Sequence, residues 1–307
     1  MSRILDGTEV GRQIKSEIAA KVAELKTLGF QPGLAAVLVG DNPASALYVR
    51  SKVQACADLG IFSRRLDLPA TLSTEELLDQ IDRLNRDDAI DGILVQLPLP
   101  PQVESRRILE AVDPKKDVDG LHPESVGRLC ANLPGLRPCT PAGIMEMLRR
   151  EGIDVRGREA VVIGRSDIVG KPLAMLLLHQ SATVTICHSK TSDLPGVCRR
   201  ADILCAAMGR PGFVTPDFVK PGAVLVDVGV NRVISEAEAE SFFAGTAKME
   251  SFRAKGSVLI GDMHPHAYSK GSAYTPVPGG VGPLTIAMLM SNTVQAAIDR
   301  RELKIKN

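Results

Sequence analysis

Short apolar segments, each followed by a segment of helical periodicity, constrain the fold of this chain more than any other feature. Residues 34–39 and 160–164 are continuous apolar runs, and residues 92–96 are an apolar run that ends in Gln96; all three have the length and composition of strands buried on both faces of a sheet. Turn residues separate these runs from the helical segments. Strands that alternate with helices along the whole chain predict an α/β protein whose sheets are parallel.

Length and composition limit the possible functions. A chain of 307 residues has room for about two domains, each with its own core. The 37 basic and 36 acidic residues give a formal charge of +1, so we expect no nucleic-acid partner. No apolar run approaches the roughly 20 residues that cross a bilayer, so we expect no membrane partner. The first residues lack the apolar core of a signal peptide, which predicts a cytoplasmic protein.

The six cysteines indicate neither a metal centre nor a disulfide framework. They form no Cys-x-x-Cys pair and have no regular spacing with histidine. We interpret them as reduced thiols, and the sequence predicts no metal site.

A glycine-containing turn follows the apolar run at 160–164. Gly164 and Gly170 flank the turn, and Pro172 suits the first turn of the apolar helix that comes next. Free amides and the helix dipole at such a point attract a pyrophosphate. The glycine spacing is not G-x-G-x-x-G, so a purely structural turn remains an alternative. With further strands expected near 183–187, 202–207 and 224–228, this half is predicted to be a Rossmann-like NAD(P)-binding domain.

The end of the second strand of that domain indicates which nucleotide binds. An NAD-selective site usually presents Asp or Glu there, where it bonds the ribose 2′-hydroxyl and repels a 2′-phosphate. This chain instead has Ser189, Lys190 and Thr191, and Arg165 lies in the glycine-containing turn. The sequence therefore predicts NADP. The alternative is that Ser189 and Lys190 are ordinary solvated loop residues.

The first half of the chain holds the candidates for chemistry. Tyr48 and Lys52 are one helical turn apart, so both can project from one face of a core-packed helix. A Tyr and a Lys at this spacing more often make a plain surface contact, and that alternative stays open. The same pair occurs in short-chain dehydrogenases, but there it follows the glycine-rich turn. Here it precedes that turn by more than 100 residues, which argues against them.

Two loops have the composition of binding surfaces. Residues 275–285 contain three prolines and three glycines, which make a stiff backbone with few side chains between it and a ligand. Asp119 precedes Gly120 in the loop that runs from 113 to 123. The alternatives are a turn-rich connector for the first loop and, for Asp119, a turn aspartate that satisfies its own loop.

Ordered motifs over nearly the whole chain resemble those of the bifunctional methylenetetrahydrofolate dehydrogenase/methenyltetrahydrofolate cyclohydrolase family. The motifs are Val39-Gly40-Asp41-Asn42-Pro43-Ala44-Ser45 with Tyr48 and Lys52, Val95-Gln96-Leu97-Pro98-Leu99-Pro100, Asp117-Val118-Asp119-Gly120-Leu121-His122-Pro123, Pro138-Cys139-Thr140-Pro141, the turn 164–172 and the loop 276–285. The resemblance implies two parallel-sheet α/β domains around a cleft. A catalytic folate-binding domain (1–140 plus 277–307) would accompany an NADP-binding domain (141–276), and the protein would be a homodimer.

The resemblance also implies an activity and residue roles. The enzyme would oxidise 5,10-methylenetetrahydrofolate with NADP and hydrolyse the resulting methenyl cation to 10-formyltetrahydrofolate. Lys52 would act as the base, since desolvation in a cleft favours the neutral amine, and Gln96 would orient it. Tyr48 would stack on the folate rings, and Asp119 would accept hydrogen bonds from them. Further substrate contacts would come from Pro278, Gly279 and Gly280, and cofactor contacts from Gly164, Arg165, Ser166, Val169, Gly170, Ser189 and Val230.

One segment departs from the family pattern. The link between Arg232 and Gly261 is longer than usual, and Ser235 with Glu238 resembles a helix cap, so residues 236–255 are predicted to form one or two amphipathic helices. A second functional class stays open, a nucleotide-binding regulator that kept the fold without turnover. Lys52 beside Tyr48 argues against it, since a regulator needs neither.

Overall fold

The chain forms two compact units, each named here by its largest sheet. The computed structural model describes residues 2–301. The six-stranded unit comprises Met1–Val10 and Thr140–Thr285, and the three-stranded unit comprises Gly11–Cys139 and Ile286–Asn307.

The described residues alternate between strands and helices almost throughout. The strands are β1 (Arg3–Ile4), β2 (Gly33–Val39), β3 (Phe62–Leu68), β4 (Gly92–Val95), β5 (Glu159–Ile163), β6 (Thr183–Cys187), β7 (Ile203–Ala206), β8 (Val224–Asp227), β9 (Asn231–Val233), β10 (Val258–Ile260) and β11 (Ala273–Tyr274). The α-helices are α1 (Gly7–Thr27), α2 (Pro43–Leu59), α3 (Thr74–Arg86), α4 (Ser105–Ala111), α5 (Pro123–Cys130), α6 (Cys139–Arg150), α7 (Gly170–His179), α8 (Leu194–Cys198), α9 (Glu236–Phe243), α10 (Ala247–Lys255) and α11 (Gly282–Arg300). Short 3-10 helices cover Pro216–Phe218 and Pro265–Lys270.

The three-stranded unit contains a parallel sheet of order β3-β2-β4. Its central strand, β2, is buried at every residue, as its unbroken apolar sequence requires. Helix α2 begins at Asn42, whose side-chain oxygen accepts the N–H groups of Ala44 and Ser45. The helix ends at Gly60, which adopts a left-handed conformation with φ 71°. The strand and the cap together direct one face of α2 towards the core, with Val49, Lys52, Ala55 and Cys56 among its buried residues.

The six-stranded unit contains a sheet of order β1-β11-β8-β7-β5-β6 in which every pair is parallel. The carboxyl ends of neighbouring parallel strands lie at one edge, so the segments after β5, β6, β7 and β8 meet there. A core of apolar side chains covers the sheet, and it includes Val161, Ile163, Leu204, Leu225 and Met263.

The structure confirms the predicted class, a two-unit α/β fold with parallel sheets and a Rossmann-like unit. The segment 236–255 forms two helices, α9 and α10, and Ser235 Oγ accepts the N–H of Glu238 as the cap pattern predicted. The pairing of β9 with β10 is antiparallel, and the sequence pattern did not predict it. No helix within residues 2–301 is long and apolar enough to cross a membrane.

The domain limits stay a prediction. Among the described residues, the compact units assign 2–10, 140 and 277–285 to the six-stranded unit, whereas the expected catalytic domain comprised 1–140 and 277–307. Residue 1 and residues 302–307 of that expected domain lie outside the described residues.

Candidate active site

Lys52 and Gln96 are hydrogen-bonded partners in the three-stranded unit. Lys52 lies on α2, and Gln96 comes directly after β4. Lys52 Nζ donates to Gln96 Oε1 over 3.0 Å. Gln96 Nε2 donates to the carbonyl of Leu97 over 2.7 Å, and this pattern assigns the amide orientation that presents its oxygen to the lysine. The side-chain amine is therefore held in one place, and Lys52 is only 9% exposed.

Tyr48 lies one turn before Lys52 on α2 but has a different environment. It is 49% exposed, whereas Lys52 is buried. No hydrogen bond of the Tyr48 hydroxyl is present within residues 2–301. The ring face is thus available for stacking against a flat ligand beside the buried amine.

Asp119 and Asp117 lie in one loop but have different partners. The Asp117 carboxylate accepts from the N–H groups of Leu121 and His122 and from Ser125 Oγ. Asp117 is therefore the turn aspartate that satisfies its own loop. Asp119 makes none of these contacts.

The Asp119 carboxylate lies near a thiol and is influenced by the charge of the catalytic candidate Lys52. Cys139 Sγ lies 3.8 Å from Asp119 Oδ1, and it lies closer, 3.3 Å, to the carbonyl of Val118. Desolvation raises the pKa of Asp119, and the charge of Lys52 opposes that rise. The pKa of Cys139 is also raised, chiefly by burial and further by the charge of Asp119. Lys52 and Gln96 thus form a hydrogen-bonded pair, Asp119 lies within the electrostatic influence of Lys52, and Tyr48 lies one helical turn from Lys52.

Asn292 on α11 supports the Asp119 loop, and the sequence analysis did not identify it. Its Nδ2 donates to the carbonyls of Val118 and Arg137, each over 2.8 Å, and it is 7% exposed. One amide group thereby holds the residue before Asp119 and the segment that leads to Cys139. The available signal was weak, because Asn292 is one of several polar residues in the stretch 286–297 and nothing in the sequence sets it apart from them.

In the six-stranded unit, the glycine-containing turn follows β5 as predicted. Gly164 has φ +124°, and a Cβ there would overlap the carbonyl of Ala207. A Cβ on Gly170 would overlap the carbonyl of Gly164. Both positions thus require glycine, and the turn packs closely against the start of α7.

The amides at the start of α7 are not free, which corrects one expectation. Ser166 Oγ accepts from Val169 N over 3.2 Å and from Gly170 N over 3.3 Å. Lys171 N donates to the carbonyl of Ser166 over 3.1 Å. The serine hydroxyl accepts the N–H groups that were expected to bind a pyrophosphate, because the position of Ser166 in the turn resembles an N-cap. These two amides can bind a phosphate only if the Ser166 side chain rotates away.

Arg165 and Ser189 lie at the same edge of the sheet. Ile163 of β5 pairs with Cys187 of β6, and each candidate stands two residues beyond its strand partner. Both are exposed, and neither side chain makes a hydrogen bond or ion pair within the described part of the chain. A guanidinium and a hydroxyl side by side suit a phosphate group. Val230, the candidate that follows β8, is 46% exposed.

Two buried aspartates hold the loops after β7 and β10, and neither was assigned a role from the sequence. The Asp262 carboxylate accepts the N–H groups of Met208, Gly209 and Arg210 over 2.7, 2.9 and 2.8 Å. The Asp227 carboxylate accepts the N–H groups of residues 262 and 263 and the hydroxyl of Tyr268. Burial raises the pKa of Asp227 to about 7.

The loop with Pro278, Gly279 and Gly280 belongs to the six-stranded unit. Gly280 N donates to the carbonyl of Pro276 over 2.8 Å, and Gly279 has φ +101°. A Cβ on Gly7 would overlap the carbonyl of Gly280, so the start of α1 lies directly against the loop. This loop packs closely and has few side chains, as expected for a surface that contacts a flat ligand.

The predicted site residues thus fall into two groups, and each group is defined within its own unit. No cluster of three or more His, Cys, Asp or Glu side chains that could hold a metal ion occurs in residues 2–301.

A parallel nucleotide-binding sheet and a separate α/β unit with a buried lysine define the class as a nucleotide-dependent α/β enzyme. The family model described as tetrahydrofolate dehydrogenase/cyclohydrolase, catalytic domain, matches residues 5–119. The model described as tetrahydrofolate dehydrogenase/cyclohydrolase, NAD(P)-binding domain, matches residues 138–301. The chain belongs to the tetrahydrofolate dehydrogenase/cyclohydrolase family. The resemblance found in the sequence is confirmed.

Similar proteins share this chain over almost its full length. The bifunctional protein FolD of Koribacter versatilis is 63% identical over 302 residues, which cover 98% of each chain. The crystal structure of the bifunctional FolD methylenetetrahydrofolate dehydrogenase/cyclohydrolase from Campylobacter jejuni has a TM-score of 0.89 and 43% identity, covering 98% of this chain and 100% of that one. The Trypanosoma brucei methylenetetrahydrofolate dehydrogenase-cyclohydrolase, solved with NADP and an inhibitor, has a TM-score of 0.88 and 36% identity, covering 99% of each.

Proposed function

We propose that this enzyme oxidises 5,10-methylenetetrahydrofolate with NADP and hydrolyses the 5,10-methenyltetrahydrofolate product to 10-formyltetrahydrofolate. The observation that carries the proposal is the hydrogen bond from Lys52 Nζ to Gln96 Oε1 at 3.0 Å, which holds a buried amine in a family of dehydrogenases and cyclohydrolases. The relatives from Koribacter versatilis and Campylobacter jejuni carry names for both activities, which supports assigning both to this chain.

The oxidation step requires positioning more than acid or base catalysis. NADP, when bound, supplies the acceptor for the hydride that leaves the methylene carbon. The folate nitrogen lone pairs stabilise the cation that remains, so no protein acid is needed. Tyr48 provides an exposed ring face for stacking, and Asp119 provides carboxylate oxygens for the N–H groups of the pterin.

The hydrolysis step requires a proton carrier. Water adds to the methenyl carbon, and the neutral amine of Lys52 takes the proton that the water releases. The carbon–N5 bond then breaks. N5 receives a proton from the Lys52 ammonium, the hydroxyl proton leaves to solvent, and the formyl group remains on N10. Gln96 keeps Lys52 Nζ in place through both transfers, because its own amide is fixed on the carbonyl of Leu97.

Selectivity for NADP rests on Arg165 and Ser189. Their exposed side chains follow neighbouring strands, and together they offer a cation and a hydroxyl to a ribose 2′-phosphate. The Trypanosoma brucei relative was solved with NADP, which supports the same cofactor here. Gly164 and Gly170 allow close backbone approach, and Ser166, Val169 and Val230 complete the predicted contacts.

The proposal extends to the setting of the enzyme. We propose a homodimer in the cytoplasm whose formyl product is used in purine biosynthesis. These statements rest on the family resemblance, and sedimentation of the purified protein would test the dimer.

Initial-rate assays on the purified full chain test the function. Reduction of NADP that depends on methylenetetrahydrofolate measures the first step, and loss of the methenyl absorbance measures the second. Both reactions should proceed, and NADP should be preferred over NAD. A protein that binds NADP without either turnover would instead be a nucleotide-binding regulator.

A further inference from the structure

A small module with its own apolar core lies within the six-stranded unit. Strands β9 and β10 pair antiparallel, and α9 and α10 connect them. Its buried side chains are Val233, Ala239, Phe243, Met249, Phe252 and Ile260. The proposed chemistry uses no residue of this module, which covers 231–260.

Lys248 is the residue that links the module to the candidate site. It lies in the first turn of α10 and is half-buried. Its Nζ donates to the carbonyl of Val277 over 2.7 Å and to the carbonyl of Leu259 over 3.4 Å. The same nitrogen lies 4.9 Å from the centre of the Phe243 ring.

The environment of this amine is unusual for a lysine. No carboxylate in the described part of the chain lies within 4.0 Å of Lys248 Nζ, so carbonyl oxygens and one ring solvate the charge. Desolvation lowers the pKa of Lys248, and the charge of Asp227 acts in the opposite direction. Removing a cation from water costs free energy unless hydrogen-bond acceptors replace the water. The hydrogen bond from Lys248 Nζ to the Val277 carbonyl offsets that cost.

The Val277 carbonyl is one of few backbone groups through which a hydrogen bond can restrain the loop that follows. Pro276 and Pro278 have no N–H, so the backbone on either side of Val277 cannot donate a hydrogen bond. Lys248 is the only donor to that carbonyl among residues 2–301. The bond therefore restrains the loop directly before Pro278.

Other anchors hold the two ends of the same loop. Thr275 Oγ1 donates to the carbonyl of Asp227 over 3.1 Å and accepts the N–H of Asp227 over 2.7 Å. Thr8 Oγ1 donates to the carbonyl of Gly279 over 3.5 Å. Between these points the buried Val277 side chain and the bond from Lys248 to the Val277 carbonyl restrain the loop.

We propose that Lys248 is a positioning residue that holds the Pro278–Gly280 wall in its folate-binding conformation. The inference rests on the proposed function, which assigns substrate contact to that wall. In this role Lys248 acts through the carbonyl of Val277, to which its Nζ donates over 2.7 Å. The module at 231–260 is the support from which the amine reaches the loop.

The test compares Lys248→Met, Lys248→Arg and the control Lys255→Met in the full chain. Lys255 lies on the same helix, is exposed, and its side chain makes no hydrogen bond or ion pair in the described residues. Methionine keeps the apolar stem but removes the donor, so the KM for methylenetetrahydrofolate should rise about tenfold with little change in kcat. Arginine should restore most of the affinity, and the control should match the unmodified enzyme.

Two further measurements separate positioning from folding. Hydrogen exchange at the Gly280 amide should be faster in Lys248→Met than in Lys255→Met, at similar melting temperatures. If Lys248→Met does not fold, Lys248→Gln takes its place, and its shorter amide should give an intermediate KM.

The outcomes distinguish the two proposals. Suppose that the unmodified enzyme is active, and that Lys248→Met changes neither the KM nor the hydrogen exchange of the Gly280 amide. That result would overturn the role of Lys248 and leave the proposed function intact. Unmodified enzyme that catalyses neither reaction would overturn the proposed function, and the folate role of the wall with it.

Discussion

Lys52 Nζ donates to Gln96 Oε1 over 3.0 Å, and the amide of Gln96 is itself fixed on the carbonyl of Leu97 over 2.7 Å. The lysine therefore sits in a defined position although no carboxylate is paired with it within hydrogen-bonding distance in residues 2–301. This relationship suits a lysine that must both take and return a proton during one reaction.

Lys52→Ala should separate the two activities. Methenyl hydrolysis should fall at least about 100-fold because the proton carrier is lost, while hydride transfer should remain substantial. The two assays named above measure this split, with Lys115→Ala, an exposed lysine of the same unit, as control. Equal loss of both activities in a folded variant would refute the role given to Lys52.

Asp119→Ala should weaken both reactions through folate binding. The carboxylate is the predicted acceptor for the pterin N–H groups, so the KM for folate should rise about tenfold or more in each assay. Asp119→Asn keeps one acceptor oxygen and the side-chain size, so its KM should lie between those of the alanine variant and the unmodified enzyme. An alanine variant with unchanged KM and rates would remove Asp119 from the site.

Arg165→Ala should reduce the preference for NADP. The guanidinium is the proposed partner of the 2′-phosphate, which NAD lacks, so the KM for NADP should rise about tenfold while that for NAD stays the same. Arg156→Ala provides a control, since Arg156 is also exposed in the six-stranded unit. Parallel changes for NADP and NAD would show that Arg165 does not read the 2′-phosphate.

Asp227 should make stability depend on pH. Its pKa is raised from 3.8 to about 7, chiefly by burial, so the folded chain holds a proton that the unfolded chain has lost between these values. The free energy of unfolding should therefore fall as pH rises from about 4 to about 7, by up to about 1.4 kcal/mol per pH unit from this group.

Urea unfolding of Asp227→Asn and of the control Asp217→Asn at several pH values would measure that contribution. Asparagine does not titrate, so the first variant should show a flatter pH dependence than the unmodified protein. The exposed Asp217 should change nothing. The same slope in all three proteins would rule out Asp227 as the source.

Local signals in the sequence were sufficient for most of the fold. Ser235 with Glu238 was predicted to cap a helix, and Ser235 Oγ accepts the N–H of Glu238 at the start of α9. This prediction is confirmed because a cap bonds amides only two or three residues away. The antiparallel pairing of β9 with β10 could not be predicted, since it depends on two helices that separate the strands.

The candidate site was less predictable, because loop contacts depend on distant residues. Asn292 holds the carbonyl of Val118 across 174 positions of sequence, and nothing near Asp119 indicates that partner. Asp117 and Asp119 are two residues apart, yet the loop satisfies only Asp117 with its own N–H groups. Sequence spacing cannot show which of the two carboxylates accepts the N–H groups of the loop.

The sequence by itself determined the alternating elements, the glycine-containing turn and the motifs that place the chain in its family, because each depends on residues close together. Only the tertiary structure decided three hydrogen bonds. Ser166 Oγ accepts from an N–H group at the start of α7, Gln96 Oε1 accepts from Lys52 Nζ, and the Val277 carbonyl accepts from Lys248 Nζ. The physical reason is that a hydrogen bond needs its donor and acceptor within about 3.2 Å, and only the packed chain brings distant residues that close.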